Sequence, residues 1–463
     1  MADVFDVIVL GGGPAGENVA GRVAAAGLKT VLVEAERVGG ECSFWACMPS
    51  KALLRPVEEL DAARHTPGIR EMLHGRIDAG AVLHHRDWAT SGYNDASQVK
   101  WLDEAKVELA RGVGRISGVR KVTVTSRAGT RELEARRAVV VATGSRAFIP
   151  DIPGLRDARP WTNREGTAAK SVPKRLLVVG GGPVSVELAQ AWKALGSEEV
   201  TLLVRDERLL ARMDPFAGEL VAKGLQETGV KLRFRTELTQ VRRDVATKEV
   251  TAKLSDGSSI TANELLVATG RVPATQDLGL ESVGLSPGKS IAVDDSLRAT
   301  GVPGDWLYAC GDVCGRNLLT HMGKYQGRLV ADAILGKQVS AWADHSATPQ
   351  VVFTEPQAAS VGLIESAARA KGLRIRALQT PIESVAGATL MGGYERGVAQ
   401  IVVDEDRRVI VGATFVGPGV AEMLHAATIA IVGEVPLDRL WHAVPSFPTV
   451  SEVWLRLLEA YGL

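Results

Sequence analysis

One local design occurs twice in this chain, and it dictates the architecture. Val7-Ile8-Val9-Leu10 reads as a buried parallel strand, Gly11-Gly12-Gly13-Pro14-Ala15-Gly16 as a tight loop, the stretch to about Ala26 as a helix, and 30–34 as the next strand. The design recurs as strand 176–179, loop Gly180-Gly181-Gly182-Pro183-Val184-Ser185, a helix to about Leu195 and strand 200–204. Two strand–loop–helix–strand units predict two dinucleotide-binding domains. The segment 341–463 differs: strands near 401–403 and 408–416 flank a helix near 421–432, in the manner of an α+β domain. The expected fold class is therefore α/β, with two Rossmann-like domains and a C-terminal α+β domain. The first domain is expected over 1–150 and 275–340, the second over 151–274, the last over 341–463. Residues 52–110 read as largely helical and 112–140 as antiparallel strands. Two strands close in the same wording, Ala142-Thr143-Gly144 and Ala268-Thr269-Gly270.

At 463 residues the chain has room for about three domains. A formal net charge of zero argues against a protein that mainly binds nucleic acid or an anionic membrane. No apolar run is long enough to span a bilayer. The start of the chain runs straight into a strand, so no signal peptide is expected. Four cysteines are too few for a disulfide scaffold, and a cytoplasmic setting is expected.

In the first loop, Gly11 permits the tight turn, Gly13 lets backbone approach a pyrophosphate, and Gly16 lets helix and strand pack closely. Glu34 ends the next strand, where an acid can bond a ribose hydroxyl. In the second loop Gly180 and Gly182 keep the spacing, but Ser185 stands in the third glycine position. Arg205 ends the following strand in place of an acid, with Arg208 and Arg212 nearby. Arginine suits a 2′-phosphate, so NADPH is favoured over NADH. A solvated surface charge is the alternative, and Asp206 and Glu207 keep it open.

The segment Gly39-Gly40-Glu41-Cys42-Ser43-Phe44-Trp45-Ala46-Cys47-Met48-Pro49-Ser50-Lys51 carries the chemistry. A disulfide needs Cα atoms within about 7 Å, while five residues of regular helix rise about 7.5 Å. Cys42 and Cys47 can therefore pair only across a distorted turn, with Gly39 and Gly40 as its entry and Pro49 in the first turn of the next helix. A thiolate at that helix start gains from the dipole and from a cation, for which Lys51 is the sequence-local candidate. Metal binding by Cys42/Cys47 or Cys310/Cys314 is the weaker alternative, and no metal is expected. Cys310 and Cys314 read as core residues.

These features together make the chain resemble the class I pyridine nucleotide–disulfide oxidoreductases, the group of dihydrolipoamide dehydrogenase, glutathione reductase and mercuric reductase. The glycine loop, the cysteine block, both Ala-Thr-Gly endings, Tyr308-Ala309-Cys310-Gly311-Asp312 and Thr348-Pro349-Gln350-Val351-Val352-Phe353-Thr354 carry the resemblance. It implies FAD in the first domain, held at Gly11, Gly13, Gly16, Glu34, Gly40, Lys51, Gly114, Thr143, Gly144, Asp312 and around Thr320. It implies a nicotinamide nucleotide at Gly180, Gly182, Pro183, Arg205, Leu238 and Gly270. It further implies a redox-active Cys42–Cys47 disulfide, with Cys47 as the thiolate beside the flavin and Cys42 as the outer thiol. Lys51 is implied near the flavin, paired with Glu187, and the last domain is implied to join a homodimer.

One position departs from the family. Its acid–base pair lies in a C-terminal run His-Pro-Thr-x-Ser-Glu, and here the run is Phe447-Pro448-Thr449-Val450-Ser451-Glu452. Glu452 survives; Phe447 holds no exchangeable proton. General acid–base help is worth roughly 10²–10⁴ in rate, so an ordinary disulfide should be handled poorly. His442 lies upstream, but Pro445 and Pro448 favour an extended path that keeps it from the same point. Phe44, Trp45 and Phe447 are candidates for an aromatic acceptor site, or for core packing. The chain ends Glu-Ala-Tyr-Gly-Leu, without the cysteine pair of mercuric reductase. The expected activity is FAD-dependent oxidation of NAD(P)H with electrons passed through the dithiol to a non-standard small-molecule acceptor, such as a quinone-like aromatic or an activated disulfide. The alternatives are a disulfide reductase with a relocated proton donor, and a redox-sensing flavoprotein.

Overall fold

The computed structural model describes residues 2–392 and 397–463. The chain divides into two compact units, one formed by 1–49, 87–147 and 271–344, the other by 50–86, 148–270 and 345–463.

The first unit is built on a mostly parallel sheet. Strand β1 (Asp3–Leu10) lies between β2 (Thr30–Glu34) and the long strand Gly129–Val141, and both pairings are parallel. Val7, Ile8, Val9 and Leu10 are buried on both faces, as a central parallel strand requires. The strand Val107–Arg111 joins the outer edge of β2 in parallel. That segment was expected to be helical; Val107 and Ala110 instead bury one side of a short edge strand. The helical expectation holds for Ala96–Glu104 just before it. Strands Val113–Gly118 and Lys121–Ser126 form an antiparallel meander with the first half of Gly129–Val141, while Leu307–Ala309 pairs with its second half in parallel. Sequence order reverses on either side of β1, and the first glycine loop leaves β1 at that switch point, where ligands bind in such sheets.

The second unit contains a four-stranded parallel sheet in the order Val230–Arg233, Glu199–Leu203, Arg175–Val179, Glu264–Val267. It also holds a three-stranded antiparallel sheet over 238–262 and a five-stranded antiparallel sheet over 349–417. The helix Val420–Val432 packs on the last of these. Within this unit the Gln190 side-chain amide grips the main chain of Glu355 both ways, accepting from its N–H at 2.8 Å and donating to its carbonyl at 2.9 Å.

That grip leaves the Glu355 carboxyl buried, facing Glu58 and Asp61, and its pKa is pushed up to about 9, chiefly by burial and then by those two acids. The unfolded group ionises near 4.5. The carboxyl's contribution to stability is thus fully present below that value and is lost as pH rises toward about 9. Glu355→Gln should therefore raise the melting temperature at pH 8, at roughly 2–4 °C per kcal/mol recovered, and leave it almost unchanged at pH 4. Melting curves at the two pH values check this; equal shifts at both would show that ionisation is not the cause.

Candidate active site

The first glycine loop is shaped by contacts that only glycine allows. A Cβ on Gly11 would lie 2.4 Å from the Ala142 carbonyl oxygen, and one on Gly16 would lie 2.0 Å from the Gly11 carbonyl oxygen. Loop, strand end and helix α1 (Pro14–Ala25) are therefore in backbone contact. At Gly13 a Cβ would meet nothing within 4 Å, which leaves open space at the start of α1, where helix N–H groups face an anion. The Glu34 carboxylate closes the other side. It accepts from the Gly12 N–H at 2.6 Å and the Glu36 N–H at 2.7 Å. Burial raises its pKa, and those two N–H groups and Arg111 oppose the rise. A Cβ on Gly114 would meet Leu10 and Val33 at 2.9 and 3.0 Å. Thr143 bonds the Ala274 carbonyl at 3.0 Å, and Gly144 has φ +71°. The Asp312 carboxylate accepts from Ser145, and Arg271 donates to the same hydroxyl at 2.6 Å. An open space at a helix start, a half-buried acid at the second strand and glycine-only contacts between them fit a flavin dinucleotide in this unit.

The segment that carries the cysteines meets that loop through its two glycines. The Gly39 N–H donates to the Gly12 carbonyl at 2.7 Å, and a Cβ on Gly40 would lie 2.9 Å from the Gly13 Cα. Gly39 and Gly40 both have positive φ, +110° and +58°. Helix α2 (Gly40–Phe44) ends at Trp45, and helix α3 (Cys47–His65) begins two residues later. The distorted turn that pairing demands falls at this break. Cys47 opens α3, and Thr320 opens the helix Thr320–Ile334. The two side chains meet at 3.2 Å, so two helix starts bear on one sulfur and favour its anionic form. Cys42 has its pKa raised, first by its hydrogen bond to Cys47, then by burial, with Thr320 and Lys324 acting the other way. That shift favours the protonated form of Cys42, while Cys47 is the one of the two that stands at a helix start.

The cation near Cys42 is Lys324 on the Thr320 helix. Sequence reading missed it, although it lies one turn beyond Thr320. Lys51 is engaged within the second unit: its ammonium donates to Glu187 at 2.7 Å and lies 4.7 Å from the Phe353 ring centroid. The other Glu187 oxygen accepts from the Phe353 N–H at 2.9 Å. The expected Lys51–Glu187 pair is therefore present, with Phe353 as a third member that sequence reading missed. Phe44 is buried, its ring beside Trp45 and under Arg37. It is a core side chain, and the acceptor site cannot count it.

In the second loop a Cβ on Gly180 would lie 2.3 Å from the Ala268 carbonyl oxygen, which repeats the Gly11–Ala142 contact. Gly182 precedes Pro183 at the helix start, with open space around it. Ser185 turns its hydroxyl into the loop and donates to the Gly182 carbonyl at 2.7 Å. Gly270 is open and has φ +141°. Arg208 donates to the carbonyls of Ala211 and Met213; it holds the loop and is spent there. Arg205 is exposed, with a loose 3.5 Å contact to Asp206. The Leu238 side chain is buried in the sheet core with Leu155, Leu177 and Leu203, because it begins a strand whose inner face is apolar. Only its main chain is left to face a nucleotide.

Cys310 and Cys314 are buried, and burial pushes the Cys310 thiol up to about 12 and raises that of Cys314. They are core thiols. Phe447 is 75% exposed, and His442 is exposed after a short helix. Glu452 stands just before the helix Val453–Tyr461, where one carboxylate oxygen accepts from Arg456 at 3.0 Å. The other is buried with no hydrogen-bond partner among the described residues.

Comparison with known proteins agrees with this construction. Residues 5–331 match the family described as pyridine nucleotide-disulphide oxidoreductase, and 348–457 match its dimerisation domain. The chain is 30% identical to a dihydrolipoyl dehydrogenase of Rhizobium etli, covering 100% of this chain and 99% of that one. It is 32% identical to a dihydrolipoyl dehydrogenase of Thermus scotoductus, over 98% and 97% of the two chains. It is 30% identical to a mercuric reductase of Lysinibacillus sphaericus, over 97% and 81%. The solved structure of LpdA from Mycobacterium tuberculosis superimposes with a TM-score of 0.86 at 25% identity, over 99% of both chains. The flavoprotein disulfide reductase RclA from Escherichia coli shares the fold, with a TM-score of 0.84 at 24% identity over 98% and 99%. Among the described residues no helix is long and apolar enough to cross a membrane. The α/β fold, the glycine loops and these matches agree that the chain belongs to the pyridine nucleotide-disulphide oxidoreductases, enzymes that use FAD and NAD(P)H.

Proposed function

We propose that this protein takes two electrons from NADPH, with NADH as the weaker donor, and delivers them by way of FAD and the Cys42–Cys47 pair to a small-molecule acceptor. That acceptor, a quinone-like aromatic or an activated disulfide, needs no C-terminal histidine. The observation that carries this reading is the cysteine pair set across a helix break on the first glycine loop, with Thr320 against Cys47. When bound, FAD supplies the two-electron relay between nicotinamide and thiol chemistry. Gly11, Gly13, Gly16, Glu34, Gly40, Gly114, Thr143, Gly144, Asp312 and Thr320 would hold it, with Lys51 toward its ring. Gly180, Gly182, Pro183 and Gly270 would hold the nicotinamide nucleotide, with exposed Arg205 free to meet a 2′-phosphate. In this reading 1–150 with 275–340 is the FAD domain, 151–274 the nucleotide domain, and 341–463 the interface of a cytoplasmic homodimer.

The test is an anaerobic titration of the flavin-loaded protein with NADPH and with NADH. A long-wavelength thiolate–flavin absorption should grow to its maximum at two electrons, at lower concentrations of NADPH than of NADH. Direct bleaching without that band would sink the dithiol relay.

A further inference from the structure

Asp344 ends the first unit, and its side chain is fully buried. Both carboxylate oxygens accept from the side-chain nitrogen of Gln326, at 3.1 and 2.9 Å, and Arg316 donates to one of them at 3.4 Å. Gln326 stands in the helix Thr320–Ile334 and is fully buried too. A carboxylate can only accept, so Asp344 dictates which end of the Gln326 amide it meets. The amide oxygen is thereby turned the other way, onto the Gly311 N–H at 2.7 Å. Carboxylate, amide and main-chain N–H form one buried line. Its hydrogen bond to the ionised end is of the stronger kind, and the buried N–H at its other end would be costly to leave without an acceptor.

Gly311 depends on that hold. Its φ of +81° and ψ of −158° fall where only glycine is at ease. Asp312 comes next, its carboxylate accepting from Ser145 with Arg271 beside it at 3.5 Å. The same helix is pressed onto the first glycine loop. A Cβ on Gly327 would lie 2.6 Å from the Ala15 carbonyl oxygen, and one on Gly323 would lie 3.5 Å from the Gly311 Cα. These contacts bring the helix close but carry little direction. The Gln326 bond supplies it, and toward the start of the same helix Thr320 touches Cys47 at 3.2 Å.

We propose that Asp344 and Gln326 are positioning residues that serve Asp312 and the Cys47 sulfur at once. Asp344 orients Gln326. Gln326 fixes the main chain of Gly311 and so aims Asp312. By the same bond it fixes the helix whose first residue, Thr320, meets Cys47. The proposal rests on the reading of Asp312 as a flavin contact and of Cys47 as the sulfur beside the flavin.

Four flavin-loaded proteins test this: the parent, Gln326→Leu, Asp344→Asn and the double variant Gln326→Glu/Asp344→Asn. Leucine removes the acceptor of the Gly311 N–H. Asparagine can offer either end of its amide, so it no longer orients Gln326. The double variant moves the carboxylate one step along the line. At position 326 it accepts from the Gly311 N–H and from the amide placed at 344, so the line is kept. Each single variant should bind FAD about tenfold more weakly, the loss of one buried hydrogen bond. In each, the thiolate–flavin band present at two electrons should have its pH midpoint about one unit higher, since a looser Thr320 helix favours the Cys47 anion less. The double variant should return both readings to near the parent's. A merely structural role would lower the melting temperature and leave the band's midpoint in place. Parent-like FAD affinity and midpoint in both single variants, or a double variant no better than the singles, would overturn the role of the pair. Where a single variant fails to fold, the double variant decides by the same two readings. Absence of the band in the parent would overturn the dithiol relay and the Cys47 half of this proposal, while the FAD affinities judge the Asp312 half.

Discussion

Cys42→Ser should display the long-wavelength thiolate–flavin absorption in the protein as isolated, before any reductant is added, whereas Cys47→Ser should lack it in every state. The two sulfurs are unequal. Cys47 opens a 19-residue helix and touches Thr320 at the start of another at 3.2 Å, so its thiolate is favoured from two directions. The hydrogen bond to Cys47 and partial burial raise the pKa of Cys42 and favour its protonated form. Removing Cys42 denies Cys47 its disulfide partner and leaves it as a lone sulfur at two helix starts; removing Cys47 leaves the sulfur that sits at neither. Turnover through the dithiol should fall on the order of 10³-fold or more in both variants, since the two sulfurs act as one unit. Visible spectra and steady-state rates of the flavin-loaded variants check this. A band in Cys47→Ser would reverse the assignment of inner and outer thiol.

Gly16→Val should be the most damaging single substitution in the first unit. A Cβ there would lie 2.0 Å from the Gly11 carbonyl oxygen and 3.2 Å from a Val9 methyl. Neither neighbour can yield, because Gly11 is itself pressed on the Ala142 carbonyl and Val9 is fully buried in β1. Overpacking of this kind costs about 3 kcal/mol or more, and flavin content should fall with the melting temperature. Gly13→Ala is the contrasting variant. A Cβ at Gly13 meets nothing within 4 Å, and its φ is an ordinary −79°. Its melting temperature in the flavin-free form should match the parent's, while flavin retention drops because the methyl occupies the open space at the helix start. Thermal melts and flavin-to-protein absorbance ratios separate the two effects. A fully flavinated Gly16→Val with the parent's melting temperature would show that the loop has slack it does not display.

The parts of this molecule that were legible in its sequence are those fixed by backbone geometry. Gly11, Gly16 and Gly180 stand where only glycine fits, and arithmetic on helical rise alone placed a break between Cys42 and Cys47. Side chains that act across the fold were not legible. The charge of Lys324 acts on Cys42, and Phe353 completes the Lys51–Glu187 pair, between segments far apart in the chain; no local pattern signals either. Arg208 stood in the sequence simply as a cation near Arg205, because its commitment to the carbonyls of Ala211 and Met213 depends on how the loop turns. Whether Phe44 lines an acceptor site or packs in the core stayed open in the sequence, because burial follows from which face of an element meets the core. The strand Val107–Arg111 was missed because five residues of mixed polarity gain their pairing only from the exposed edge of β2.

Glu452 shows how a motif can outlast the chemistry it once announced. Its carboxylate sits at the start of the last helix and is tied to Arg456 one turn on. An acid in that place steadies the helix through its dipole and through an i,i+4 pair, whatever stands at position 447. Arg456 pairs the charge through one carboxylate oxygen whatever stands at position 447, while the other oxygen stays buried without a hydrogen-bond partner among the described residues. Such a letter can persist by architectural inertia, so agreement with a catalytic signature at Glu452 records ancestry more securely than present occupation.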